Sequence, residues 1–145
     1  MEVTTYSFTD LAGSISHPTF GSYLFDGTGV GSVTVAKATD RTAHDVAADG
    51  SVMVSKISGN NGTVTIEVQQ TSSLHKWLSA WFNALWQLPT SEWASTSMTL
   101  RNSATGTRHI ISGVSPQKEP DTPYQSQGQR VTWNLMCAEI TNLPI

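Results

Sequence analysis

The sequence predicts a mainly β fold, a β-sandwich or barrel-like shell with one flanking α-helix. Three observations predict it. Several short runs alternate apolar and polar residues at period two, as half-buried strands do. A single run repeats its apolar residues at helical period. About a quarter of the chain is Ser or Thr, with few Lys and Glu, a composition that suits strands better than helices.

Taken in order, Gly13–His17 and Ser22–Phe25 are short strand candidates. Gly27-Thr28-Gly29-Val30-Gly31 lacks the Lys and following helix of a phosphate loop and reads as a flexible turn. Val30–Lys37, Ser51–Ile57 and Thr63–Gln69 are clearer strands. Ser58–Gly62 contains Asn60-Asn61-Gly62, which tolerates positive φ, so it reads as a tight hairpin turn between the last two. Thr39–Gly50 is far longer than a hairpin needs and carries Asp40, Arg41, His44, Asp45 and Asp49. It is either a solvated charged loop or a contact arm for another subunit.

Leu74, Trp77, Leu78, Trp81, Phe82, Leu85 and Leu88 form one apolar stripe at helical spacing. Ser72 or Ser73 caps its start and Pro89 stops it. The stripe predicts that Trp77, Trp81 and Leu85 are buried core, with Trp86 at its edge. Ser97–Arg101 and Arg108–Val114 follow as strands joined by the hairpin loop Ser103–Gly106. Pro116–Gly128 is a second long loop, polar and Pro-rich. Arg130–Ala138 is the last strand, with Val131, Trp133, Leu135 and Cys137 on one face. The total is six to eight strands and one helix. With 145 residues and no long linker, residues 1–145 form one domain.

Chemistry is sparse. The four histidines sit on different elements, with no pair at metal-ligand spacing, and Asp45 and Asp49-Gly50 lack the acids of a calcium loop. Cys137, the one cysteine, lies in an apolar strand and excludes a disulfide framework. Neither a catalytic residue nor a cofactor or metal site is expected, so the chain is not expected to be an enzyme. A net charge of -3 with eight Lys and Arg argues against a nucleic-acid-binding module. The start of the sequence lacks a signal-peptide pattern, and no run approaches the length of a membrane span. A soluble intracellular product, or a part of something assembled inside a cell, is the expectation.

Tyr6-Ser7-Phe8-Thr9-Asp10, Ala48-Asp49-Gly50-Ser51-Val52-Met53, Gly62-Thr63-Val64-Thr65 and Gln70-Thr71-Ser72 resemble, in order, a family of phage structural proteins once catalogued as a domain of unknown function. Members of that family look like tail tube proteins of contractile-tailed phages. The resemblance implies a β-sandwich with one flanking helix. It also implies hexameric rings stacked into a tube that encloses a tape measure protein, lies within a sheath, and passes DNA without binding it specifically. Baseplate and tail terminator proteins are the implied end partners. The implied location is the virion tail, assembled in the host cytoplasm, with no membrane contact. By position, Thr39–Gly50 is the implied inter-ring loop. In Thr63–Gln69, Val64, Ile66 and Val68 face the core. Thr63, Thr65, Glu67 and Gln69 then face the channel, with six copies of Glu67 forming an acidic ring. Six subunits giving four strands each would make a tube with a backbone diameter near ~48 Å, wide enough for a DNA duplex. A secretion-system tube protein or a tail terminator shares this class. A β-sandwich carbohydrate-binding module is the rival outside it, for which only Trp93, Tyr6, Tyr23 and Tyr124 are free aromatics.

Overall fold

The computed structural model describes residues 1–27 and 29–144; Thr28 of the predicted Gly27–Gly31 turn, and Ile145, lie outside the described residues. Along the chain run β1 (Leu11–His17), β2 (Gly21–Asp26), β3 (Val30–Lys37), β4 (Thr42–Val46), β5 (Val52–Lys56) and β6 (Gly62–Gln69). Then come α1 (Ser73–Gln87), β7 (Thr96–Asn102), β8 (Thr107–Pro116) and β9 (Arg130–Pro144). Seven strands make one antiparallel sheet in the order β2-β1-β7-β8-β9-β6-β3, while β4 and β5 pair with each other.

That sheet cannot be flat. Its edge strands, β2 and β3, are joined by residues 27–29 alone. Seven strands laid flat would hold the two edges about 29 Å apart. The chain from Asp26 to Val30 spans at most about 14 Å. The sheet therefore curls until its edges converge at this end, so the expected shell is one rolled sheet.

Inside the roll, Val64, Ile66 and Val68 of β6, Val131, Trp133 and Leu135 of β9, and Met98 and Leu100 of β7 are buried. Helix α1 closes it with Leu74, Leu78, Trp81 and Leu85. The helix starts where the sequence places it, because the Ser72 hydroxyl accepts the Leu74 N–H at 3.2 Å. It stops at Leu88, whose backbone is extended, as the residue before a proline prefers to be. Two buried indoles are satisfied: Trp81 Nε1–H donates to Thr96 Oγ1 (3.0 Å) and Trp133 Nε1–H to His75 Nδ1 (3.1 Å). Trp81 and Leu85 are buried as expected, but Trp77 is only half-buried. It lies at the margin of the stripe, edge-on to Phe20 at 5.3 Å and beside Tyr23.

Other sequence expectations need correction. Ser58–Gly62 is not a hairpin turn, because β5 pairs with β4, whereas β6 pairs with β3 and β9. Thr39–Gly50 is not a loop; its middle is strand β4. Ser51–Ile57 was expected to be half-buried, yet every residue of β5 is exposed. The described residues contain nine strands rather than six to eight. The last strand runs past Ala138 to Pro144 with no register shift against β8, and Gly113 of β8 takes φ 66°, where an added Cβ would come within 2.4 Å of Ala138.

Candidate assembly surfaces

Strands β4 and β5 form an arm. His44 stands opposite Val54, Asp45 opposite Met53, and Val46 opposite Val52. All residues of both strands are exposed. A two-stranded ribbon without a packed face is marginal alone in water, and this one is held at both ends. At its base the Ile57 N–H donates to the Arg41 carbonyl (2.9 Å) and Arg41 Nη2 donates to Asn60 Oδ1 (2.7 Å). Thr39 Oγ1 donates to Asn61 Oδ1 (2.8 Å), and the Ile140 N–H donates to the Asn60 carbonyl (2.8 Å). Lys37 Nζ donates to both Asn60 Oδ1 and the Ile140 carbonyl. The arm is thus anchored on β9. At the tip, Asp49 Oδ1 accepts the Ser51 N–H at 3.0 Å, and hydrogen bonds from Ser51 hold its carboxyl below the usual value. The five residues singled out in the sequence distribute along this arm: Asp40 and Arg41 at the base, His44 and Asp45 on β4, Asp49 at the tip.

A second surface is the outer face of β3, β6 and β9. Thr63, Thr65 and Glu67 are half-buried and Gln69 is exposed, all opposite the buried Val64, Ile66 and Val68. Register sets Thr65 between Thr34 and Asn134, and Glu67 between Ser32 and Thr132. Thr65 Oγ1 donates to Asn134 Oδ1 at 3.0 Å. The expected acidic character of Glu67 does not hold. Arg130 Nη1 donates to Glu67 Oε1 at 2.9 Å, the one ion pair among the described residues. Gly31 leaves the space that the guanidinium occupies. The face is therefore polar and close to neutral.

Three other titratable groups, His17, His75 and Cys137, are structural. Thr19 N–H and Phe20 N–H both donate to His17 Nδ1 (3.1 Å each), which leaves Nε2–H to donate to the Glu92 carbonyl (3.0 Å). Burial holds His75 below the usual imidazole value. Burial pushes the Cys137 thiol up to about 11, so it is not a nucleophile at neutral pH. Among the described residues no group of three His, Cys, Asp or Glu could hold a metal ion, and no helix is long and apolar enough to cross a membrane.

Two surfaces escaped the sequence reading. Arg101 and Arg108 are register partners on the outer face of β7 and β8. The four-residue loop Ser103–Gly106 between two alternating strands was the signal that could have set them opposite. Trp86 is 72% exposed and meets Trp93 edge-on at 6.2 Å.

Solved structures of contractile injection systems share this fold. A chain of the anti-feeding prophage (AFP) baseplate, 6-fold symmetrised, aligns with a TM-score of 0.67 at 9% identity, covering 99% of this chain and 98% of that one. A chain of the PVC sheath-tube complex, an extracellular contractile injection system in its extended state, aligns at 0.56 and 10% identity, covering 97% and 93%. A chain of the AFP tube terminating cap aligns at 0.57 and 9% identity, covering 100% and 96%. The class these likenesses define is a fold, that of chains in contractile injection systems. No curated protein matches the sequence. The family model of the bacteriophage PhiTE tail tube protein matches residues 3–143, and the chain belongs to that family. Its role is structural, as a component of the phage tail.

Proposed function

We propose that this chain acts as one domain, 1–145, which closes into hexameric rings and stacks into the tail tube that delivers DNA. The observation that carries the proposal is the anchored arm. It projects at least about 17 Å on five-residue strands, leaves every residue of both strands exposed, and gains packing only against another protein. Asp40, Arg41, His44, Asp45 and Asp49 are then the inter-ring contact residues. The sheet supports the same reading, because its two edges, β2 and β3, leave backbone groups for a neighbour to pair.

The outer face of β6, with Thr63, Thr65, Glu67 and Gln69, lines the channel in this proposal. A conduit must hydrate passing DNA without gripping phosphate, and a neutral face of hydroxyls and amides with an internally paired Glu67 suits that task. The sheath would surround the rings and the tape measure protein would fill them. Baseplate and terminator proteins would cap the two ends, with assembly in the host cytoplasm.

The test shortens the arm. Arg41 and Ile57 are hydrogen-bonded across the base, so Asn-Gly can join them in place of residues 42–56. Negative-stain microscopy of the purified chain should show tubes for the parent and single rings for the variant. Tubes of normal length from the variant would refute the arm as the stacking device. In assembled tubes, Glu67→Lys should add DNA retention with a steep salt dependence, because it leaves two unpaired cations per subunit. Equal retention by both proteins would remove this face from the channel.

A further inference from the structure

A chain with only eight Lys and Arg sets two of them side by side. Arg101 and Arg108 face each other across β7 and β8, both exposed on the outer face. Like charges directly opposite on a sheet destabilise it. Neither guanidinium has an ion-pair or side-chain hydrogen-bond partner among the described residues. On the same face, Ile110 stands opposite Thr99, next along β7 and β8 from the arginines, and is 44% exposed. Leu24, 79% exposed, lies beyond Ser14 in that row. Asp26 stands at the edge of the sheet, across Ala12 from Arg101.

The arm offers the complement. Its basic residues, Arg41 and Lys56, sit at the base, so residues 43–54 carry Asp45 and Asp49 and no Lys or Arg. Asp45 shares a face with its register partner Met53, and both are exposed. One face thus presents a carboxylate beside a flexible thioether; the other presents two guanidiniums beside exposed Ile and Leu side chains.

We infer that the Asp45–Met53 face of the arm docks on the Arg101–Arg108 patch of a second copy of this chain. Asp45 neutralises the facing cations, and Met53 covers Ile110. The inference rests on the arm being an assembly device, and it names the surface that receives it.

The experiment is a charge exchange in the full chain, scored as the protein concentration needed for assembly by sedimentation and negative stain. Asp45→Arg, Arg101→Asp and Arg108→Asp should each raise that concentration by about ten-fold or more, as breaking a close interfacial charge pair does. Asp45→Arg combined with either arginine reversal should bring it back to within about three-fold of the parent. Restoration supports the docking whether the single variants lose rings or only stacking. Combinations no better than the single variants overturn it, as do arginine reversals that leave assembly intact and cost only DNA retention or sheath binding. As a check independent of reversed charge, Asp45→Cys with Arg108→Cys should cross-link copies on oxidation, and a chain that stays monomer-sized counts against the contact. The shortened-arm variant separates the two ideas. If it still forms tubes, the arm reading fails; if it does not, and charge exchange restores nothing, only the docking surface is wrong.

Discussion

Replacing Trp81 with alanine probes the packing that fixes the whole fold. The indole is fully buried between α1 and the sheet, and its N–H is the donor to Thr96 Oγ1, also fully buried. A buried Trp removes about 150–250 Å² from water. At about 25 cal/mol per Å², truncation loses roughly 4–6 kcal/mol. Large-to-small changes at buried aromatics fall at about 3–5 kcal/mol. The Thr96 hydroxyl, left without its partner in the core, adds about 1–3 kcal/mol. A total near ~5 kcal/mol is comparable with the whole stability of many domains. Urea unfolding followed by far-UV circular dichroism measures it, and a melting temperature lower by more than about 10 °C should accompany it. Trp81→Phe keeps most of the ring and loses the hydrogen bond, so it should fall well short of the alanine variant. A loss under about 1 kcal/mol for Trp81→Ala would refute the reasoning, because it would mean that α1 is not the plug of the roll.

Three further outcomes are expected. His75 is held neutral by burial, so its folded pKa lies below the unfolded value near ~6.5; its contribution is complete above that pH and drains as pH falls through it, and the urea midpoint between pH 7 and pH 5 should drop more in the parent than in His75→Gln. Gly113→Ala should destabilise by more than about 1 kcal/mol, because φ is 66° and a Cβ would come within 2.4 Å of Ala138; Gly106→Ala, at φ 69° with open space around it, should be milder in the same urea titration. Cys137, with its thiol raised to about 11, should resist a disulfide reagent at pH 8 and titrate as one thiol per chain once unfolded.

Much of the fold was legible because burial writes a period into the sequence. The α1 stripe, the alternation of β6 and the Val131–Cys137 face of β9 each became a buried surface. Strand β4 was illegible for the converse reason: with all five residues in water, Thr42–Val46 carries no hydrophobic period. Asn60-Asn61-Gly62 has turn chemistry, but its side chains brace the arm, and no local rule shows that β6 turns to β3 instead of β5. The same limit applies to the candidate surfaces. Alternation placed Thr63, Thr65, Glu67 and Gln69 on one face correctly. The Arg130 partner of Glu67 depends on register between strands far apart in sequence, which alternation does not encode.

The sheet order sets a schedule for the chain as it is made. β1 pairs with β7, so Ser16 waits for Ser97. β9 follows the other eight strands in sequence yet lies inside the sheet, between β8 and β6. Until it emerges from the ribosome, the other six strands of this sheet form two fragments, β2-β1-β7-β8 and β6-β3, with no continuous ladder between them. Such long-range pairings make for slow folding, over milliseconds to seconds. A product cut short before β9 lacks the strand that unites the sheet and cannot close the roll. The topology thereby ties the shape of each copy to its completeness, because the last strand made is the one that joins the rest.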